Sequence, residues 1–499
     1  MSEELFKPER DGWSFDNFTG MNESWDLFRK TYSSISPEES PDLWDLAFYE
    51  IFKKTAKTGN CVGISLLGLA LFKFGSYLCY CAPASAYKGD DGPFDQNLRD
   101  TINYMHARQL SAPGLSNFIR IYDAGNINNG NIAFDDVVEF LNMKDYPLLS
   151  VARSLTGTDA HVILPYNYHK GTNSSTLEIW DSDYPYDKHP GHYESDNRLM
   201  TINHNSNGTW SYHPIPSEIN TKYSSSGGAW CFAIRMSLIR PKAPHPLNPG
   251  IEGVDEYLMT IFLSNPSACI AQITDSKGRQ FYTTFSAKHT SLNDIEVDPN
   301  KKLRDLYRWP WFGMNSTKPL PELYFGKPSL LRNNSLNINM IGDNNTTQFY
   351  ALKSLICIKT ISNSIKQDTI NISRISTPYQ AIEISTEDNN REFLIEQSYQ
   401  NEAGKPWRKY LIKDLALPEK IPLRINLLYN DNLMLISSSN QSVTYNLEIQ
   451  QKKGKQIENK EFKDLHTTSN KTTKLSFSNL QQIKNAIKEE RVLDSLIKI

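Results

Sequence analysis

The sequence predicts an α+β domain followed by a β-rich, sandwich-like region that closes on a terminal helix. Three observations predict it. Helical patterns precede strand patterns over residues 1–240. A stretch with four prolines in ten residues, "PKAPHPLNPG" at 241–250, then breaks the chain as a linker. From 251 to 475 short period-two runs bounded by Gly, Asn and Asp turns replace them, which is the mark of antiparallel sheet. A chain of 499 residues is long enough for several domains.

In the first region "SPDLWDLAFYEIFKKTA" reads as a helix, and "GNCVGISLLGLALFKF" as a second one, apolar nearly all round and so central to a core. "FDQNLRDTINYMHARQLS" and "FDDVVEFLNM" are two further helical candidates. The period then changes. "YPLLSVARS", "AHVILPYNYH", "TLEIWDSDYP", "RLMTINHNSNGTWSYHPI" and "AWCFAIRMSLI" are strand-like, with a tight turn at "NG" 207–208. Helices followed by antiparallel strands define the α+β class. In the β-rich half, "SLNINMIG", "FYALKSLICIKTI", "QAIEIST", "LRINLLYNDNLMLIS" and "VTYNLEIQQK" alternate as half-buried strands do. Over 476–499, Leu480, Ile483, Ile487, Leu493 and Leu496 or Ile497 fall near helical spacing after Ser478, a cap-forming residue. An amphipathic helix is expected there.

A net charge of -3 gives no basic field, so non-specific nucleic-acid binding is not expected. The longest apolar run, Val62 to Phe72, is too short to span a bilayer. The acidic, polar N-terminus is no Sec signal peptide, and the expected location is the cytoplasm or the end of a signal-less export route. Six cysteines (61, 79, 81, 231, 269 and 357) form no dense disulfide framework and no zinc-ribbon spacing.

Cys61 follows the "TGN" turn and opens the apolar helix, where the helix N-terminus favours a thiolate. His161 opens an apolar strand, and Asp181 follows Trp180 on the next one. Pairing those strands would bring the carboxylate beside the imidazole. Nucleophile, base and orienter are then present in one domain.

"GNCVGIS" on an apolar helix, then "DAHVILPY", then "LEIWDSDYP", resembles the bacterial branch of the papain-like cysteine peptidase superfamily. The likeness covers residues 10–240 in the expected order, with "DGWSFDNF" and "ARQLS" as further similar segments. It implies a papain-like N-terminal domain with Cys61 as nucleophile, His161 as general base and acid, and Asp181 as orienter, with Asp183 the nearest competitor. It also implies a protein or peptide substrate and no cofactor. The chain departs from the pattern at Thr55, where papain-type enzymes place an oxyanion-hole glutamine. Asn60 and Gln109 are the side-chain amides left as oxyanion candidates.

Three rival readings stand beside this one. A transglutaminase-like acyltransferase would pass the acyl group to an amine. A papain-like shell without activity would leave the β-rich half as a protein- or glycan-binding module. A zinc site would draw on His161, His169, His189 and His192 with Asp181 or Asp187, but "HPGH" is a loop and HExxH is absent. "DAGNINNGNIAFDD" fails the register of a calcium loop and reads as a polar turn.

Overall fold

In the computed structural model the chain divides into two compact units. One comprises Met1–Pro41, Phe48–Pro246 and Trp309–Lys318, and the other Asp42–Ala47, Leu247–Arg308 and Pro319–Ile499. The structure describes residues 5–247 apart from 58, 125–126, 154–159, 206–207, 216–222, 226–228 and 240. Beyond 247 it describes the strands and adjoining turns from 259 to 491.

The first unit is built around the helix Cys61–Phe74, whose residues Cys61 to Leu71 are all buried. A side-chain-free position lets a second helix, Gln96–Ala107, press against it. A Cβ on Gly63 would lie 2.1 Å from the Ile102 carbonyl oxygen. Gly75 ends the first helix in the left-handed region, φ +72°, and its N–H bonds back to Leu71. A further helix, Ala112–Asp123, has no counterpart in the sequence reading.

Next comes a curled antiparallel sheet. Its order among the described residues is Tyr223–Ser224, Trp210–Tyr212, Leu199–Asn203, Ser174–Trp180, His161–His169, Pro147–Val151 and Cys231–Arg235. One face packs around Ile163, Leu177, Ile179, Met200, Tyr212 and Tyr223, together with Phe134 and Val137 from the helix Gly130–Asn142. The polar turn before that helix is a cap: the Asn129 side chain accepts from the N–H groups of Asn131 and Ile132.

The proline-rich stretch is not a free linker up to Pro246. The Pro244 carbonyl accepts from Ala112 N–H at 2.9 Å, and buried His245 stacks on Phe48 at 4.7 Å. Its prolines give up no backbone donors, and its carbonyls find partners on the first unit. Residues 248–250 lie outside the described ones.

The second unit holds two nine-stranded sheets among the described residues. Ile356, Ile358, Phe393, Ile395 and Ile412 from one share a core with Ile370, Ile372, Ile382, Ile384 and Ile425 from the other. The sheets therefore pack as a sandwich, with alternate residues turned inward. Successive hairpins go to alternate sheets: 346–362, 391–417 and 443–467 to one, 367–386, 423–438 and 471–491 to the other.

The terminal helix expected over 476–499 is corrected in part. Ile487–Arg491 is a strand, paired antiparallel with Lys471–Ser476 in the register Leu475↔Ile487. The open N–H and C=O groups of a sheet edge supply partners that override the helix preference of "IKEER". Ser478, Leu480, Ile483, Leu493, Leu496 and Ile497 lie outside the described residues. Among the described residues no helix is long and apolar enough to cross a membrane.

Candidate active site

Cys61, His161 and Asp181 come together in the first unit, and all three are buried. Each is placed by the end of an element. Cys61 is the first residue of its helix, and His161 the first of its strand. Asp181 follows directly on the strand Ser174–Trp180 and continues its inward-facing set Leu177, Ile179. The register Leu164↔Trp180 puts Asp181 diagonally across from His161, within reach of a side-chain bond.

That bond is short: His161 Nε2 stands 2.7 Å from Asp181 Oδ1. Nδ1 has no hydrogen-bond partner among the described residues, and the Cys61 side chain lies in interaction range of the ring. The imidazole therefore stands between sulfur and carboxylate. Burial alone would lower its pKa, but the charges of Asp181 and Asp183 outweigh it, so His161 is held well above the usual histidine value. For Asp181, burial works against ionisation, yet the His161 cation and its hydrogen bond, with the Asp183 N–H, hold the carboxyl below its usual value.

Asp181 is held on all sides. Oδ2 accepts from the Tyr212 hydroxyl at 3.0 Å, and Oδ1 accepts also from Asp183 N–H at 3.0 Å. Tyr223, from the edge strand of the sheet, lies nearly parallel to the imidazole at 6.4 Å, and the Arg153 guanidinium lies over the Tyr223 ring, 5.1 Å from its centroid. The Tyr223 hydroxyl is buried and has no partner among the described residues. These two tyrosines were not singled out from the sequence. The inward alternation of Trp210 and Tyr212 is the signal for Tyr212; Tyr223 has none of that kind.

Asp183, the competitor for the orienter's place, reaches the site from a turn. The strand stops at Trp180, and a turn closed by Tyr184 N–H on the Asp181 carbonyl brings Asp183 Oδ2 to 3.4 Å from His161 Nε2. Burial pushes this carboxyl up to about 6, against the pull of the His161 cation.

Neither amide candidate for the oxyanion hole is free. Asn60 Nδ2 donates to the carbonyls of Phe18 (3.0 Å) and Gly20 (3.2 Å), while its Oδ1 accepts from Asn103. Gln109 donates to the His106 carbonyl at 2.9 Å and abuts the His106 ring. The Asn60 amide is spent on the loop carrying Phe18 and Gly20 and the Gln109 amide on His106, because a buried amide must find partners. Thr55 is equally committed, its hydroxyl donating to Ile51 O at 3.3 Å. His106, wholly buried between Gly63 N–H and Thr55 O, is pushed down to about 4 by burial and stays neutral.

The residue that does lie against the helix start is Asn17, in "DGWSFDNF". Its Oδ1 accepts from Asn60 N–H at 2.8 Å, its backbone N–H donates to Ser182 O at 2.9 Å, and its amide touches the Asp183 carboxylate.

Of the possible metal ligands, only His161, Asp181 and Asp183 gather among the described residues, their ligand atoms all within 4.8 Å. Two ligands of one tetrahedral zinc stand about 3.3 Å apart. The 2.7 Å between His161 and Asp181 is instead a hydrogen bond. His169 pairs with Glu178, His192 with the Pro214 carbonyl, Asp187 with Lys88, and His189 edges Tyr184, so these do not join the site. Comparison of the chain with models of protein families, with curated proteins and with solved structures finds no match.

Proposed function

We propose that the first unit is a cysteine-nucleophile acyl-transfer enzyme, a papain-like peptidase or related amide hydrolase. The observation that carries the reading is the His161 ring, which stands between the Cys61 thiol and an ionised, fully hydrogen-bonded Asp181. An imidazole kept protonated beside a sulfur is the counter-ion that a thiolate needs. In this reaction the sulfur attacks an amide or ester carbonyl, a C–S bond forms, and the His161 proton goes to the leaving group as its bond to carbon breaks. Water, deprotonated by His161, then cleaves the thioester and restores the thiolate. An amine in place of water would make the same site a transferase, and added primary amine would then appear in the product.

The test uses p-nitrophenyl acetate and iodoacetamide on the full chain. Cys79 and Cys81 are exposed in a short hairpin, so alkylation must be read residue by residue, by peptide mass. Near pH 6 an ordinary thiol is under about 1% thiolate. Cys61 should then react well ahead of Cys79 and Cys81, and a burst of p-nitrophenolate should vanish in Cys61→Ala and His161→Ala. Equal labelling with no burst would sink the reading and leave the β-rich half, as a protein- or glycan-binding module, to account for the protein.

A further inference from the structure

We propose that Asn17 supplies the second oxyanion donor of this site, its side-chain amide acting together with the backbone N–H of Cys61. The inference rests on the acyl-transfer reading above and adds the group which that reading lacks, since Thr55, Asn60 and Gln109 all have their side chains committed elsewhere.

The Cys61 N–H is the first of its helix, and the Asn60 side chain makes no cap bond to the helix start. Such leading N–H groups have no intrahelical acceptor and point out of the helix end. Asn17 is fastened across this opening. Its Oδ1 is pinned by the N–H of the residue before the nucleophile, and its main chain by the carbonyl between the two aspartates. Its amide nitrogen touches the Asp183 carboxylate, which stands 3.4 Å from the His161 ring. A primary amide carries two N–H donors. Asp183 engages one, and the proposal assigns the second to the oxyanion. A planar group held at both ends needs no reorganisation when charge develops, which is what an oxyanion donor must offer. Tyr223 also has an unpartnered hydroxyl, but its ring packs in the sheet's interior cluster with Tyr212.

In the step concerned, the Cys61 sulfur bonds to the carbonyl carbon and the π pair moves onto oxygen. That oxyanion accepts from Cys61 N–H and Asn17 Nδ2. Collapse returns the pair, remakes the C=O bond and expels the leaving group with the His161 proton.

Two reactions of one thiol separate this role from a structural one. Iodoacetamide alkylation displaces iodide and builds no oxyanion, whereas acylation by p-nitrophenyl acetate does. In Asn17→Ala, acylation should fall about 100- to 1,000-fold while Cys61 alkylation keeps the parent rate. Asn17→Asp keeps the acceptor for Asn60 N–H without the amide donors, and should show the same fall in the ratio of acylation to alkylation. An unchanged ratio in both variants, or a selective loss in Tyr223→Phe instead, overturns the assignment while the nucleophile stands. A parent chain that alkylates at Cys61 but never acylates overturns the acyl-transfer reading and this assignment with it.

Discussion

Replacing Asp183 by asparagine should stabilise the first unit at neutral pH and make no difference in acid. The Asp183 side chain is 10% exposed, and burial moves its carboxyl from 3.8 to about 6. That is about two units, and at about 1.36 kcal/mol each it amounts to about 3 kcal/mol. The group holds its proton more tightly in the folded chain than in the unfolded one, so ionising it opposes folding. The penalty is absent below about pH 4, grows through the window up to about pH 6, and is complete above it. Asparagine never ionises. The variant should therefore match the parent near pH 3.5 and exceed it near pH 7.5. For a unit of this size about 3 kcal/mol corresponds to about 6–12 °C in melting temperature. Tryptophan fluorescence melts of both full chains at about six pH values give the difference directly. Equal melting temperatures at pH 7.5, or a gap of the same size at pH 3.5, would refute the argument.

Other substitutions probe separate parts of the site. Tyr212→Phe removes a donor to the buried Asp181 carboxylate, worth about 1.5–3 kcal/mol, and should slow p-nitrophenyl acetate acylation about 10- to 100-fold. Tyr223→Phe removes only an orphaned hydroxyl and should melt no lower than the parent; a drop of several degrees would show a partner for it. His106, at about 4 when folded against 6.5 unfolded, stays neutral while the unfolded chain takes up a proton. Stability should thus fall by about 3 kcal/mol as pH drops from about 6.5 to 4, and His106→Gln should flatten that slope in the same melts. Gly63→Ala would push a methyl to 2.1 Å from a backbone oxygen and should destabilise by about 3 kcal/mol in urea unfolding, more than Gly68→Ala, whose nearest neighbour is Trp13 Nε1 at 3.1 Å.

Much of the arrangement could be read from residue patterns, because the parts that matter sit at the ends of periodic runs. The apolar run starting at Cys61 could only be a buried helix, and the two strands bearing His161 and Asp181 are adjacent in sequence, so their pairing is local. Long-range polar contacts were not legible. Asn60 and Gln109 carry the right chemical group next to the right residues, but Phe18, Gly20 and Asn103, some forty positions away, claim the Asn60 amide. Asn17 is paired with residues 60 and 183, and no spacing rule connects those three. The helix Ala112–Asp123 was hidden by Pro113 and Gly114, which look like a turn although proline fits a helix's first turn. The strand Ile487–Arg491 shows the opposite failure: a helix-favouring composition yields to a waiting sheet edge.

The alternation of hairpins in the second unit has its own consequence. Each later hairpin, a closed piece of about 20 residues, is bonded to the previous hairpin of its own sheet, and the hairpins from 346 to 467 share one core across the two sheets. Each sheet therefore lengthens hairpin by hairpin along its strand order. Adding or deleting two consecutive hairpins would lengthen or shorten the unit by two strands per sheet and require no new kind of contact.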